Sequence, residues 1–477
     1  MKKTYLDYFY EICKIPRGSG NEQKLAEYLL SFAREHDLEA FIEDGSGNVI
    51  IKKPASPGYE NAPSVILQGH MDMVCEKRKD SVHDFETDPI AYVRDGNILR
   101  TDGTTLGADN GIAVAYAMAV LADFEIEHPA IEVLLTTQEE TTMLGAELAR
   151  AENFKSKYML NLDSEEEGKL FVSSAGWVDA IGEIRINRVK SKLSRSYRVS
   201  VSGLRGGHSG MDIHKGRGNA NKILCRLLHA IRGISPEFEI ADIRGGRKAT
   251  AIARDASALI NLPESGFENI ECAVKHLQDD INAEYILTDS VKIDISSADF
   301  EQNVFDGECR DRAIDFGFLV FNGMYSKLPD MDVTQCSQNL GYFAVDEDVL
   351  MIEICTRSAI DSLTVHLGEM NLKLFERCGI DGKLGKQYHA WKYQPKSPLR
   401  ELAVKVYENM QGETMQLEAI HAGLECGYLS GNLGVDIVSF GPTIHDVHSP
   451  DEVLEIDSAD RVYEYLLALL KEFKALK

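Results

Sequence analysis

Basic residues are scarce in this chain of 477 residues, in which 51 lysines and arginines stand against 76 aspartates and glutamates. The formal net charge is -25 at pH 7. No cluster of basic residues interrupts the acidic excess, and a protein that binds a phosphate backbone needs such a cluster. The composition therefore excludes nucleic acid from the expected partners.

The sequence also has no closely paired cysteines and no long apolar segment. Its nine cysteines are scattered without a C-x-x-C pair, which is typical of free thiols in a reducing compartment. No apolar run approaches the roughly 18 to 20 residues that a membrane helix requires. The N-terminal segment carries Asp7 and Glu11 within its apolar pattern, which indicates an amphipathic helix and not a signal peptide. We therefore expect a cytoplasmic protein without membrane contacts.

The length predicts more than one domain, because a single hydrophobic core stops growing beyond roughly 250 to 300 residues. In residues 1–186, strand-like runs alternate with helical stretches, which is typical of an α/β domain with a mostly parallel central sheet. The pattern becomes that of a separate α+β unit in residues 187–394, and helix and strand patterns resume in residues 395–477. We expect the first and last segments to form one domain that the middle unit interrupts.

Polar residues at strand ends are the first candidates for a site, because the carboxyl ends of parallel strands open onto the ligand crevice. The run VILQGHMD ends in His70 and Asp72, whose side chains share one face of a strand. A carboxylate beside a histidine is how metal sites orient an imidazole ligand. The same pair also occurs on half-buried strands without a metal, so it does not predict a metal site by itself.

Two further segments place acidic residues where helices begin or strands end. Asp109 and Asn110 precede a strong helical pattern, and capping of that helix explains them equally well. Glu139 and Glu140 follow the apolar run IEVLLT, where acidic residues would also favour the dipole of a following helix. Hydrolysis at a metal needs one carboxylate to neutralise the cation and another to take a proton from water. The adjacent glutamates supply both.

Asp163 lies at another predicted strand end, and His445 and His448 lie in a turn rich in glycine and proline. The glutamates at 165–167 are expected to form a solvated loop without a role. The histidines and carboxylates make a nitrogen and oxygen ligand set without cysteine, which suits zinc, with cobalt or manganese as alternatives. The set is too large for one zinc ion with an open position. We therefore expect two ions that share a carboxylate, about 3.5 to 4 Å apart.

With these residues the chain resembles the co-catalytic zinc metallopeptidases, a family that includes aminoacylases, carboxypeptidase G, dipeptidases and tripeptidases. The similarity extends over nearly the whole chain. It rests on strings in the same order, namely IPRGSGNE, LQGHMDMVCEK, TLGADNGIAVA, TTQEETTMLGA, NLDSEEEG, GLRGGHSGMDI, LPDMDVTQCSQNLG, IHAGLECG and GPTIHDVHSPDE. The strings IHAGLECG and LPDMDVTQCSQNLG favour the dipeptidases within the family.

The resemblance implies a role for each residue at the strand ends. Glu139 would be the general base, and Asp72 would orient His70 from behind. The peptide bond between Asp109 and Asn110 is expected to be cis. The implied metal ligands are His70 and Asp163 on one ion, Glu140 and His448 on the other, and Asp109 as the bridge between them.

The resemblance makes the middle unit a lid and dimerisation domain. Its string RGGHSG contains His208, which in the family stabilises the oxyanion of the scissile carbonyl, often from the partner subunit of a homodimer. Arg357 is expected to bind the substrate carboxylate, which its forked guanidinium fits. His421 and Glu425 are expected to be structural or to hold the free amino group of the substrate.

The resemblance therefore implies metal-dependent hydrolysis of Xaa-His and other unblocked dipeptides. Relatives that cleave N-acyl amino acids or tripeptides would carry the same ligands and differ only in the lid, so these substrates stay open. A non-catalytic binding protein on the same fold is less favoured, because neither Glu139 nor any implied ligand is missing from the sequence.

Overall fold

The computed structural model describes residues 2–264, 267–328 and 333–476. Part of the string LPDMDVTQCSQNLG, at residues 329–332, lies outside the described residues. The helices are α1 (Tyr5–Ile12), α2 (Gln23–Glu35), α3 (Ala108–Ala122), α4 (Leu144–Leu148), α5 (Ala220–Ile234), α6 (Phe267–Glu284), α7 (Gly307–Leu319), α8 (Asp361–Arg377), α9 (Pro398–Gln411), α10 (Cys426–Leu433) and α11 (Ile456–Glu472).

The strands of the first half are β1 (Glu39–Ile42), β2 (Val49–Lys53), β3 (Val65–His70), β4 (Tyr92–Asp95), β5 (Ile98–Thr101), β6 (Ile131–Thr136), β7 (Tyr158–Asn161), β8 (Lys169–Ser174), β9 (Gly176–Arg185), β10 (Arg188–Lys190), β11 (Arg195–Ser202) and β12 (Gly207–His208). Those that follow are β13 (Glu239–Gly245), β14 (Ala251–Ile252), β15 (Ala256–Leu262), β16 (Lys292–Ala298), β17 (Asn303–Phe305), β18 (Gly323–Lys327), β19 (Thr334–Asp346), β20 (Val349–Ser358), β21 (Asp381–Leu384), β22 (Gln416–Ile420), β23 (Asp436–Ser439), β24 (Ile444–His445) and β25 (Val453–Glu455).

The chain forms two compact units. Unit 1 comprises Met1–Ser173, Trp391–Ala419 and Leu424–Lys477, and unit 2 comprises Ser174–Ala390 and Ile420–Gly423. Unit 2 is thus inserted between segments of unit 1 along the chain. From the sequence, the boundaries were expected at residues 187 and 394, which would leave β9 in the first segment.

Unit 1 is built on an eight-stranded sheet in the order β1-β2-β6-β3-β7-β23-β8-β22. Its central strands β6, β3, β7 and β23 pair in parallel, whereas β1, β2 and β8 pair antiparallel. Strands β3 and β6 are buried along their whole length, which is typical of parallel strands covered on both faces. The predicted α/β class with a mostly parallel central sheet is confirmed.

Helix α3 packs closely against this sheet. All its residues from Ala108 to Leu121 are buried, as expected for a helix that is apolar all round. Gly69 of β3 allows the close approach, because a Cβ placed there would lie 2.6 Å from the Cβ of Ala113 and would also meet the Asn110 side chain. The helix, and with it the residues at its N-terminus, is therefore held firmly to β3.

Unit 2 is an α+β unit whose two larger sheets are antiparallel and have the orders β13-β15-β11-β16 and β18-β19-β20-β9-β21. The apolar face of α5 repeats at helical spacing and is buried at Ile223, Leu224, Leu227, Leu228 and Ile231. These residues join the strands of unit 2 in one hydrophobic core. The predicted α+β character of the insertion is confirmed.

Among the described residues, no helix combines the length and the apolar character that crossing a membrane would require. All nine cysteines are free thiols.

We expect Gly69→Ala to destabilise the protein by about 1–3 kcal/mol, because the added methyl group overpacks the contact between β3 and α3. The free energy of unfolding from denaturant titration measures this. The matched control is Gly431→Ala in α10, where an added Cβ meets nothing within 4 Å. That substitution should stabilise the protein by about 0.4–1 kcal/mol. Equal effects of the two substitutions would contradict the close approach.

Candidate metal centre and substrate-binding cluster

The carboxyl ends of three neighbouring strands carry the predicted site residues of unit 1. His70 is the last residue of β3, which lies between β6 and β7 in the sheet. Glu139 and Glu140 follow the end of β6, and Asp163 follows the end of β7. Because these strands are parallel, their ends meet at one edge of the sheet.

Asp109 lies between two histidines. Its Oδ1 is 3.1 Å from Nε2 of His70, and its Oδ2 is 3.0 Å from Nε2 of His448. The peptide bond between Asp109 and Asn110 is cis, as the resemblance predicted. One carboxylate therefore contacts two imidazoles from distant parts of the chain, one through each oxygen.

Each histidine has a second carboxylate beside it. Nε2 of His70 is 3.4 Å from Oδ1 of Asp163, and Nε2 of His448 is 3.0 Å from Oε2 of Glu140. The other oxygen of Glu140 is buried and has no hydrogen-bond partner among the described residues. The cluster thus divides into a His70 side and a His448 side that share Asp109.

Asp72 organises the residues around His70. Its Oδ1 lies 3.4 Å from Nδ1 of His70, on the side of the ring opposite the cluster. The backbone N–H groups of Glu139 and Glu140 donate to its two oxygens at 3.0 and 3.2 Å, and the hydroxyl of Ser19 donates at 2.7 Å. Nδ1 of His70 also lies 3.1 Å from the backbone carbonyl oxygen of Asp72. Asp72 therefore holds the imidazole mainly through its backbone, and its buried carboxylate fixes the turn that carries the adjacent glutamates.

The packing of charges shifts the pKa values of both histidines and of Asp163. Hydrogen bonds to Asp109 and Glu140 raise the pKa of His448 to about 11. Burial would lower the pKa of His70, but the carboxylates around it prevail and raise it well above its ordinary value. Burial raises the pKa of Asp163 to about 6. Without another cation, the cluster therefore keeps protons at neutral pH.

The arrangement fits a divalent metal. A nitrogen of His70 and carboxylate oxygens of Asp109 and Glu140 all lie within 4.8 Å of one another. Ligand atoms about 2.1 Å from a tetrahedral zinc ion are separated by about 3.4 Å, close to the distances between each histidine and its carboxylates. The orphaned oxygen of Glu140 is the kind of buried acceptor that a cation satisfies.

Two further carboxylates lie beside this cluster, namely Glu139, which is partly buried, and Glu425, which is fully buried. Oε2 of Glu139 lies 4.0 Å from Nε2 of His70, and burial together with neighbouring carboxylates raises the pKa of Glu139 well above its ordinary value. Glu425 accepts from Gln68 at 2.6 Å and from Thr136 at 2.8 Å. Burial raises the pKa of Glu425 to about 8. Both groups are thus able to hold a proton near neutrality.

Unit 2 contains the other predicted residues in a cluster of its own. Nδ1 of His208 accepts from the backbone N–H groups of Gly210 and Met211, both at 3.2 Å. Burial and the positive charge of Arg357 lower the pKa of His208. The ring is therefore neutral, with its hydrogen on Nε2 as a donor.

Arg357 is buried in β20, with 4% of its surface exposed. Its guanidinium lies 5.2 Å from the centre of the Trp177 ring, and its Nε donates to the hydroxyl of Ser209 at 3.2 Å. Nε2 of His421 lies 2.7 Å from the hydroxyl of Ser337, and its Nδ1 has no partner among the described residues. Burial, reinforced by Arg357, lowers the pKa of His421 to about 3.

His445 and Glu165 are two residues for which we expected no role in the site, and the structure places them in different surroundings. His445, to which the resemblance assigns no ligand role, is exposed and pairs with Glu455 at 2.7 Å. Glu165 was expected in a solvated loop but is partly buried, and burial with the charges of Asp109 and Asp163 raises its pKa to about 8. Glu165 is therefore less exposed to solvent than the sequence led us to expect, whereas Glu166 is exposed as expected.

The sequence also gave no role to Arg17, Ser19 or Glu452. All three make hydrogen bonds to the segments that carry the cluster. Their presence in the strings IPRGSGNE and HSPDE was the available signal.

Comparisons with known proteins agree with this geometry. Residues 199–289 match a family described as the peptidase dimerisation domain. The chain is 35% identical to the cytosol non-specific dipeptidase of Escherichia coli (strain K12), over 98% of this chain and 97% of that protein. It is also 35% identical to the aminoacylhistidine dipeptidase from Vibrio alginolyticus, whose crystal structure superposes with a TM-score of 0.92 over 98% of this chain and 96% of that one.

A more distant likeness extends to the aminopeptidase PepT from Bacillus cereus, with a TM-score of 0.57 at 15% identity over 99% of both chains, which shows the shared fold. The two relatives at 35% identity cover almost the entire chain, and both are dipeptidases. The chain therefore belongs to the M20 family of metallopeptidases, among its dipeptidases.

Proposed function

We propose that this protein hydrolyses Xaa-His and other unblocked dipeptides at a site that takes two divalent ions, with zinc as the expected metal. The position of Asp109 between His70 and His448 is the observation that carries the proposal. A carboxylate with one imidazole on each oxygen is suited to bridging two cations. The Xaa-His preference is supported by the similarity to the Vibrio aminoacylhistidine dipeptidase.

His70 and Asp163 are the proposed ligands of one ion, and Glu140 and His448 are those of the other. The distances from each histidine to its own carboxylate, 3.4 and 3.0 Å, support this division. When bound, the ions would supply a water of lowered pKa and polarise the substrate carbonyl. Cobalt or manganese would suit the same nitrogen and oxygen donors.

Glu139 is the proposed general base. It would accept the proton of the attacking water and then deliver it to the leaving amine. Its backbone N–H is anchored on Asp72, so its side chain starts from a fixed point. A carboxyl group whose pKa is raised by burial holds the transferred proton more readily than an exposed one.

The cluster of unit 2 is proposed to bind the substrate. His208 would donate from Nε2 to the oxyanion of the scissile carbonyl, and Arg357 would bind the carboxylate of the dipeptide. His421 in unit 2 and Glu425 in unit 1 are proposed to be structural or to hold the free amino group of the substrate. Because His208 falls within the match to the dimerisation domain, we propose a homodimer formed through unit 2, with His208 acting in the partner subunit's site. The cytoplasm is the proposed location, in line with the E. coli relative.

Glu139→Gln is expected to lower kcat for β-alanyl-histidine by about 10²- to 10⁴-fold, the usual contribution of a general base. Its metal content should stay that of the wild type, because Glu139 is not a proposed ligand. The matched control is Glu166→Gln, which changes an exposed glutamate paired with Lys169 and should leave kcat unaffected. Steady-state kinetics together with metal analysis make the test. Wild-type protein that holds two zinc ions and cleaves only N-acetyl amino acids or tripeptides would rule out the dipeptidase proposal.

Metal binding is expected to release protons. Carboxylates raise the pKa values of His70 and His448, so both imidazoles are protonated at pH 7 before metal binds. A metal requires the neutral ring, so its affinity should fall as the pH is lowered. Calorimetry of zinc binding in buffers with different ionisation enthalpies counts the protons. Zinc binding to His448→Ala should release fewer protons than binding to the wild type, whereas His445→Ala should release the same number. Binding without proton release would contradict the arrangement.

Arg357→Lys is expected to raise KM for a dipeptide by about 10- to 100-fold, because a lysine cannot make the two parallel hydrogen bonds of a guanidinium. A dipeptide amide lacks the carboxylate, so its KM should be nearly the same with both enzymes. Measuring both enzymes with both substrates isolates the contribution of the contact between Arg357 and the substrate carboxylate. If the variant affects both substrates equally, Arg357 does not bind the carboxylate.

A further inference from the structure

A buried carboxylate that the proposed mechanism does not use holds the loop of Asp109. Only 2% of Glu452 is exposed. Its Oε2 accepts from the backbone N–H groups of Leu106 at 2.8 Å and Gly107 at 3.0 Å. Its Oε1 accepts from those of Ala108 at 2.8 Å and Asp109 at 3.3 Å. One side chain thus takes four successive backbone donors.

Two features explain why a carboxylate suits this place. The first N–H groups of a helix have no partners within it, and the N-terminal end of the helix dipole favours a negative charge. Gly107 has a φ of +68° at the start of α3, a left-handed conformation of the kind that makes neighbouring N–H groups converge on one anion. Glu452 supplies that anion from a distant part of the chain.

The same loop is held from its other side by Arg17, which is also 2% exposed. Its Nη1 donates to the carbonyl oxygens of Met71 at 2.9 Å and Asp72 at 2.8 Å, and its Nη2 donates to that of Gly107. Both backbone polar groups of Gly107 are therefore held, its N–H by Glu452 and its C=O by Arg17.

These contacts join the segments on which the candidate ligands lie. Arg17 fastens the Asp109 loop to the residues that follow His70. Glu452 fastens it to the short segment that carries His448. The His448 contact with Asp109, at 3.0 Å, is thereby supported by a second attachment between the same two segments. Since Arg17 and Glu452 carry opposite charges, they add no net charge to a site already rich in carboxylates.

We propose that Glu452 and Arg17 are positioning residues. By holding the backbone of Gly107 from two sides, they set the separation of the two metal subsites. The proposal rests on the metal site proposed above. A purely structural cap would contribute to the stability of the fold alone. A positioning role also predicts a change in metal affinity.

Glu452→Gln tests the proposal, because the amide nitrogen would face two of the four N–H donors and could not accept from them. We expect the affinity for zinc to fall by about 10- to 100-fold in at least one subsite, the range found when residues behind metal ligands are changed. Competition with a chromophoric chelator gives both dissociation constants. The control is Asp451→Asn, an adjacent acidic residue that is exposed and paired with Arg78, which should bind zinc like the wild type.

Thermal unfolding of the metal-free proteins distinguishes a structural cap, which affects only stability, from a positioning residue, which also affects zinc affinity. A variant that is less stable but binds zinc as tightly as the wild type overturns the proposal. If Glu452→Gln does not fold, Glu452→Asp keeps the charge with a shorter reach and is measured in its place. Failure of both variants to fold also counts against the proposal, because the residue is then needed for folding itself.

The visible spectrum of the cobalt-substituted protein gives a second measurement. It should differ between Glu452→Gln and wild type, since a displaced ligand alters the coordination geometry, and should be the same for Asp451→Asn and wild type. Failure of the proposed function is distinguishable, because wild-type protein would then bind no metal pair at all.

Discussion

The contact of one aspartate with two histidines is the constraint around which unit 1 is arranged. Asp109 can meet His70 and His448 at 3.1 and 3.0 Å only if the end of β3, the start of α3 and a C-terminal turn converge. Each is fixed by a different interaction. The apolar α3 is enclosed by the core, Gly69 lets β3 approach it, and Glu452 ties the turn to the loop. The energy that gathers like-charged carboxylates at this point comes from hydrophobic burial elsewhere in the unit.

The two clusters differ in their electrostatics. In unit 1 the carboxylates predominate and raise the pKa values of both histidines, so the cluster attracts cations. In unit 2 burial and Arg357 lower the pKa values of His208 and His421, so both rings are neutral donors or acceptors beside a fixed positive charge. A dipeptide has both an amide to be polarised and a carboxylate to be bound. In the proposed function, the first demand falls to the cluster of unit 1 and the second to Arg357.

The sequence predicted the parallel strands of unit 1, because fully buried runs such as that ending in His70 leave a clear apolar pattern and a polar terminus. It also predicted which side chains lie together there. It did not predict the hydrogen bonds of Arg17 and Glu452. Their partners are backbone groups, which every residue carries and which no sequence pattern distinguishes. The place of Glu165 was missed for a related reason, since burial of a loop glutamate depends on how the loop folds back. The predicted boundary at residue 187 leaves β9 in the first segment, because its alternating pattern continues directly from that of β8.

The position of β23 bears on the order in which the sheet of unit 1 can be completed. This strand comes from the last part of the chain, yet it lies between β7 and β8 in the middle of the sheet. His448 and Glu452 follow it. The sheet therefore cannot be completed, and His448 cannot reach Asp109, until the segment that contains β23 and His448 has been synthesised.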